Sequence, residues 1–171
     1  MNFKKIQKIV TTALFMAIIC VATLVIQIPS PATNGYFNLG DCFALLAGWL
    51  LGPVYGMIAS GVGSALADAI TGYVTYVPAT LIIKAIMAVI AYLIFKALKS
   101  KPLIGRVVGA VASECLMVLG YFAYEALILG YGMSAALSIP SNLMQGLVSV
   151  VASVTLATAI SKVNTLNKLF N

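Results

Sequence analysis

Long apolar runs dominate this chain, and short polar or turn-forming segments separate them. The runs fall at about residues 9–28, 42–67, 77–98, 103–129 and 134–161. A helix of roughly 20 apolar residues is long enough to cross the hydrocarbon core of a bilayer. The pattern therefore predicts an all-α integral membrane protein.

The stretch around residues 39–71 permits two interpretations, because Gly52-Pro53 interrupts it. It is either one kinked span or two helices that meet at the break. Basic residues collect on the cytoplasmic side of membrane proteins, and only two crossings bring the basic groups at 4–8, 96–106 and 162–168 to one side. We therefore predict two helices here, a short one and a longer one. The predicted set is six transmembrane helices with both termini cytoplasmic, at about residues 9–28, 39–51, 53–71, 78–98, 103–129 and 134–161.

Composition supports a chain that lies in the bilayer as a single domain, residues 1–171. Hydrophobic residues make up 62% and charged residues 8%, against about a quarter charged in soluble domains. All basic residues except Lys84 flank the apolar runs. The net charge of +6 is therefore explained by topology, and nucleic-acid binding is not needed to account for it. We expect a multi-pass protein of the plasma membrane.

Several kinds of chemistry have no candidate residues. The chain has no histidine, and its three cysteines lie inside apolar runs without CxxC spacing. Histidine metal sites and histidine general bases are therefore excluded, and the cysteines are interpreted as small buried hydrophobes. No GxxxxGK[ST] phosphate loop is present. We expect no metal, no cofactor and no enzymatic activity.

Five charged residues lie within the apolar runs or directly against them, and a charge at mid-bilayer costs roughly 2.5–3.5 kcal/mol. The predicted topology brings four of them to the outer leaflet and puts Glu114 about three turns deeper than Glu125. The four outer residues are Asp41, Asp68, Lys84 and Glu125.

Two polar stripes accompany these charges. Glu114, Val118, Tyr121 and Glu125 follow helical spacing on one face of the fifth predicted helix, and Ser138, Asn142, Gln145 and Ser149 repeat that spacing on the sixth. Tyrosines and a phenylalanine recur at the outer level. The pattern predicts an outward-facing pocket with flat aromatic walls and ionic anchors, suited to a small heteroaromatic molecule. The candidate binding residues are Asn38, Asp41, Tyr76, Lys84, Glu114, Tyr121, Glu125, Asn142 and Gln145.

Plainer interpretations remain open for several of these residues. Lys84 either anchors a ligand or forms a structural ion pair with Asp41 or Asp68. The tyrosines equally fit an interfacial aromatic belt. Glu114 is either protonated and hydrogen-bonded, for example to the stripe that carries Asn142 and Gln145, or it is a ligand or proton site.

Small residues four apart let helix backbones approach closely, and most such pairs here indicate packing inside the bundle. Ala13 and Ala17 are different, because they lie near the cytoplasmic end of the first predicted helix, where a partner has access. They are candidates for a partner interface.

Residues 37–88 carry a series of recognisable motifs. They are the LGD opening, LLAGWLLGP, the GxGxxLAD stretch, the GY…YxPAT turn and the lysine that follows, Lys84. This run resembles the substrate-binding S components of energy-coupling factor (ECF) transporters. It is most similar to the riboflavin-transporter-like group, which includes members assigned to hydroxymethylpyrimidine or vitamin B6.

The resemblance implies a function and partners. S components bind a vitamin or precursor in an extracellular pocket, which the loop after the first helix, here residues 29–38, covers. They dock on a transmembrane coupling protein that carries two cytoplasmic ATPases, and the family's small-residue motif falls on Ala13 and Ala17. The alternative is a self-sufficient proton-coupled carrier that uses Glu114. An inverted repeat would favour that alternative, and none is evident.

Overall fold

The protein is a bundle of long helices. The computed structural model describes residues 3–25, 27–29 and 36–162. Five long helices follow one another along the chain: α1 Phe3–Val25, α2 Gly40–Thr71, α3 Val77–Ala97, α4 Pro102–Ala123 and α5 Ile139–Lys162. Five helical segments are long and apolar enough to cross a membrane. The prediction of an all-α membrane protein is therefore confirmed at this level.

One helix covers two predicted ones. α2 spans both residues 39–51 and 53–71, so the described residues hold five long helices where six were predicted. The predicted break is nevertheless present, because Gly52 has φ 81° and ψ −178° and is not helical. Positive φ favours glycine, and Pro53, which lacks an N–H, suits the first position after a break.

The break reverses the direction of α2. A Cβ atom on Gly56 would meet the Ala47 carbonyl oxygen at 2.7 Å, although nine residues separate them along the chain. A straight helix would hold these residues about 13 Å apart. The two halves of α2 therefore lie against each other, and both of its ends reach the same end of the bundle.

The helix ends differ from the predicted ones by several residues. α1 begins at Phe3 instead of residue 9, because hydropathy does not mark helical turns that extend beyond an apolar run. Two short strands, β1 Gln27–Pro29 and β2 Tyr36–Asn38, pair antiparallel at the two ends of the predicted loop 29–38. Residues 30–35 of that loop lie outside the described residues. A 3₁₀ segment, Val74–Tyr76, precedes α3.

Irregular turns follow α4 and precede α5. A π-helical turn, Tyr124–Ile128, extends α4, and a 3₁₀ segment, Gly132–Ser138, precedes α5. Such wide or tight turns are common near functional sites, and residue pattern alone does not distinguish them from α-helix.

Small residues bring the helix backbones together. α2 packs against α1 and α3. A Cβ on Gly48 would lie 2.5 Å from the carbonyl oxygen of Ala88 in α3, and one on Gly63 would lie 2.8 Å from that of Met16 in α1. Trp49 locks the same interface by donating its Nε1–H to the Ala91 carbonyl at 3.1 Å. Large apolar side chains on the outside of the bundle are exposed, as expected for a surface that faces lipid.

The two ends of the bundle carry opposite charge. We call the end of the bundle where α2 begins and ends the cavity end. The acidic side chains lie at this end or deeper in the bundle beneath it. Lysines from the start of α1 and the finish of α3 lie at the other end, which we call the lysine end.

Candidate functional site

A small cavity of about 40 Å³ lies at the cavity end of the bundle. That space holds about three waters, at 10–15 Å³ each. Seven of the nine candidate residues line it: Asn38, Tyr76, Lys84, Tyr121, Glu125, Asn142 and Gln145. Their role in binding stays a prediction, although the fold brings them together from five separate elements.

A hydrogen-bonded network forms around Asp41. Lys84 Nζ lies 2.5 Å from Asp41 Oδ1, and both side chains are buried, 2% and 0% exposed. The Gln145 Nε2 donates to Asp41 Oδ2 at 2.5 Å, and the Asn38 N–H donates to Gln145 Oε1 at 2.8 Å. The network joins β2, α2, α3 and α5. Asp41 does not line the cavity; it holds two residues that do.

Each carboxyl oxygen of Glu125 accepts a hydrogen bond from a hydroxyl group. Tyr76 donates to its Oε1 at 3.0 Å, and Ser138 donates to its Oε2 at 2.5 Å. The carboxyl group is buried, with 2% of the residue exposed. The π-helical turn carries Glu125 to this position, and two of its oxygen lone pairs are satisfied within the protein.

Asp68 has one satisfied oxygen and one free oxygen. The Tyr36 hydroxyl donates to Oδ1 at 2.5 Å, while Oδ2 has no hydrogen-bond partner among the described residues. Burial and the nearby carboxylate raise the pKa of the Tyr36 phenol above its ordinary value, so the phenol keeps the proton that it donates. Asp68 thus offers the cavity an acceptor that lacks a partner.

Aromatic rings form part of the cavity wall. The rings of Tyr76 and Tyr121 lie 6.4 Å apart, and Tyr36 and Tyr73 lie 4.6 Å apart. Lys84 Nζ stands 5.4 Å from the Tyr121 ring centroid, a cation–π contact. All four tyrosines line the cavity; an additional place in an interfacial aromatic belt stays a prediction.

Glu114 lies outside the cavity lining. It is 5% exposed, and neither carboxyl oxygen has a partner among the described residues. The predicted hydrogen bond to Asn142 or Gln145 is not formed, because Gln145 already bonds Asp41 and Asn38. Gly146 of α5 packs against Glu114 instead. A Cβ atom on Gly146 would lie 3.1 Å from the Cβ atom of Glu114.

Comparison with known proteins identifies the family. Residues 3–162 match the family described as ECF-type riboflavin transporter, S component. The chain belongs to this family. The S components of ECF transporters are substrate-binding subunits, and the chain is accordingly a multi-pass membrane protein.

The chain is also similar to two further proteins, one in sequence and one in fold. A protein of Pyrococcus woesei, described only as an uncharacterized protein in gap 3′ region, is 39% identical over 120 residues, which cover 69% of this chain and 78% of that protein. The solved S component of a bacterial ECF transporter has the same fold. It superposes with a TM-score of 0.74 at 22% identity, covering 92% of this chain and 97% of that one.

The candidate partner interface of this S component is accessible. Ala13 and Ala17 are both exposed on α1, so the pair does not pack inside the described bundle. Ala17 also lines an apolar groove between α1 and the start of α2. Docking of a partner there stays a prediction.

Sequence reasoning missed several cavity residues. Asp68 was recognised as an outer charge but was left out of the candidates, although Ser64 and Asp68, like Thr80 and Lys84, are four apart on one helical face. That spacing is the signal that would have found three of the missed residues. The additional lining residues are Thr23, Tyr36, Ser64, Asp68, Tyr73, Thr80, Ser138 and Ser141.

Proposed function

We propose that this S component captures a small vitamin or vitamin precursor for an ATP-driven ECF importer. The observation that carries the proposal is the cavity itself, which combines aromatic walls, the Asp41–Lys84 pair and an unpartnered Asp68 oxygen. A site of this kind binds a flat ring and fixes it through a few polar contacts. Hydroxymethylpyrimidine, a pyridoxine-like compound and riboflavin are the candidate ligands.

Charge and size narrow this set. Asp41 neutralises Lys84, while Asp68 and Glu125 have no cationic partner in the part of the chain that the structure describes. The cavity therefore favours a neutral or amine-bearing ligand over a phosphate ester. Its volume of about 40 Å³ favours a single ring, because the three fused rings of riboflavin require larger displacement of the tyrosines.

The proposed orientation follows from the lysines. Lys4 and Lys8 of α1 share a cleft with Lys96 and Lys99 of α3, which supports one basic, cytoplasmic end. The cavity then faces outward in the plasma membrane. Because α2 begins and ends at the cavity end, we count its two halves as two crossings, giving six helices with cytoplasmic termini.

The proposed partners are those with which S components work, a transmembrane coupling protein and two cytoplasmic ATPases. Ala13 and Ala17 would contact the coupling protein. In this arrangement ATP is hydrolysed by the partner subunits, and the whole of residues 1–171 forms one transmembrane domain.

Native mass spectrometry of the purified protein tests the ligand class directly. We expect a retained compound with the mass of a single-ring vitamin or precursor, released on denaturation. Titration calorimetry with hydroxymethylpyrimidine, pyridoxine and riboflavin then ranks the candidates. Binding of a phosphate ester in preference to its free alcohol would contradict the proposed charge balance.

A self-sufficient proton-coupled carrier is the second candidate function, favoured by the buried, unpartnered Glu114. Replacing Glu114 with Gln separates the two. In an ATP-driven importer the variant should keep ligand-dependent uptake with its partners, whereas a carrier that titrates Glu114 should lose its response to a pH gradient.

A further inference from the structure

A second, larger cleft opens at the lysine end of the bundle. It has a volume of about 500 Å³ and lies between the start of α1, the break in α2 and the last turns of α3. Four lysines line it, namely Lys4, Lys8, Lys96 and Lys99. We call it the basic cleft. The substrate cavity shares none of its lining residues.

No acidic side chain is found among the described residues that line the basic cleft. The four acidic side chains are Asp41, Asp68, Glu114 and Glu125, and none of them lines the cleft. The second half of α2 also begins at the cleft wall, just after Gly52, and a helix N-terminus carries partial positive charge. The cleft therefore has a strong preference for an anion.

The walls of the cleft are both aromatic and apolar. Lys8 Nζ lies 5.8 Å from the ring centroid of Tyr55, and Lys96 Nζ lies 5.7 Å from that of Tyr92. These cation–π contacts hold the two ammonium groups over partly buried rings. Leu50, Leu51 and Phe95 add apolar surface.

We propose that the basic cleft binds the phosphate headgroup of an anionic membrane lipid. Its lysines lie at the ends of membrane-spanning helices, which is the level of the lipid headgroups. Basic pockets between transmembrane helices at that level bind anionic headgroups. A soluble phosphate would use the lysines alone, whereas a lipid also covers the apolar wall with its glycerol and upper acyl chain.

The test compares two lipids and two matched variants. Delipidated protein in a neutral detergent receives phosphatidylglycerol or phosphatidylcholine, and native mass spectrometry counts the bound lipids. Lys8, Lys96 and Lys99 are changed together to Gln in the cleft variant. The control variant changes Lys5, Lys101 and Lys162, which lie outside the cleft lining, so both variants lose three charges.

We expect the wild type and the control to retain phosphatidylglycerol in preference to phosphatidylcholine. In the cleft variant, phosphatidylglycerol affinity should fall roughly a hundredfold, at about fivefold per lysine. A melting shift on lipid addition provides the second measurement, because it registers binding without requiring survival in the gas phase. Inorganic phosphate should not reproduce the shift.

Three results would overturn the proposal. Equal retention of both lipids by the wild type would show that no headgroup site exists. An equal loss of phosphatidylglycerol affinity in the two variants would show that only net charge matters. The same melting shift with inorganic phosphate would make the cleft a site for a soluble anion. If the cleft variant does not fold, the comparison of the two lipids and inorganic phosphate on the wild type decides whether the proposal holds.

Discussion

The ion pair between Asp41 and Lys84 is the residue-level feature with the largest energetic consequence. Both charges are taken out of water, so their stability depends on each other and on the amide of Gln145. Removing one partner of a buried pair leaves an uncompensated charge in a medium of low dielectric. Lys84 also lines the cavity, so it is both a structural residue and a candidate ligand contact.

Replacing Lys84 with Met should therefore destabilise the protein by about 3–5 kcal/mol. Adding Asp41→Asn should recover much of that loss, because the double variant buries no charge at this point. Thermal unfolding in detergent without ligand gives the comparison. Lys101→Met is the control, since Lys101 is exposed at the lysine end.

The opposite pattern would assign Lys84 to recognition alone. A single variant that melts normally, but whose melting temperature no longer rises when the vitamin is added, would show that the ion pair contributes little to the fold.

At this scale, the candidates chosen from the sequence include seven of the fifteen residues that line the cavity. Helical periodicity is strict enough to place Tyr121 and Glu125 on one face and Asn142 and Gln145 on another. It does not determine the depth at which facing helices meet, so Glu114 was expected in a site that it does not line. Partners across helices, such as Tyr36 with Asp68, depend on tertiary contacts that no local pattern contains.

Among the helices, the contact between α2 and α3 includes a very close approach at Gly48. The Cβ that Gly48 lacks would lie 2.5 Å from the Ala88 carbonyl oxygen, a backbone atom that cannot rotate away. Gly120 differs, because its Cβ would meet the flexible end of Ile83 at 3.0 Å.

Gly48→Ala should thus lower the stability of the bundle by about 1–3 kcal/mol, the usual range for overpacking. Gly120→Ala should change it far less. Melting temperatures of the two variants, measured in one detergent, provide the test. Equal effects would mean that the helix interface yields easily, and that the close approach at Gly48 does not limit packing.

The exposed pair Ala13 and Ala17 on α1 allows docking to be separated from folding. Changing both to Leu should abolish uptake in cells that express the partner subunits, while ligand affinity in detergent stays within about twofold of wild type. Ala69 and Ala159, which are also exposed, serve as the matched Leu control on other helices. Loss of uptake in the control, or loss of affinity in the α1 variant, would contradict a docking role.

Element by element, the apolar runs predicted the segments that are long and apolar enough to span a membrane, and Gly52-Pro53 predicted the break. The ends of the helices were not predictable to better than several residues. Lys4, Lys5 and Lys8 extend α1 beyond the apolar run because charged residues with long side chains are good helix formers. The β1–β2 pairing was also missed, since three-residue strands carry too little periodicity to detect.

As a whole molecule, this S component should bind its ligand without transporting it. Purified and reconstituted alone, it should show saturable binding but no concentrative uptake, because it carries no GxxxxGK[ST] phosphate loop. Adding the coupling protein, the ATPases and ATP should produce uptake. Uptake driven by a pH gradient in vesicles that contain this chain alone would favour the carrier function instead.

The orientation of the molecule has its own test. With Cys20, Cys42 and Cys115 replaced, single cysteines at positions 101 and 75 should label from opposite sides of the membrane. Position 75, at the cavity end, should react with an impermeant reagent in intact cells, and position 101 only after permeabilisation. Labelling of position 101 from outside would contradict the proposed orientation and the two crossings of α2.

The reversal of α2 at Gly52 also makes the first half of that helix shorter than the membrane is thick. The first half of α2 begins at Gly40, beside the substrate cavity, and its last residues and Gly52 line the basic cleft. Twelve helical residues span about 18 Å, whereas the hydrocarbon core of a bilayer is about 30 Å thick. Along this segment the cavity and the basic cleft are therefore separated by little more than half the thickness of the hydrocarbon core.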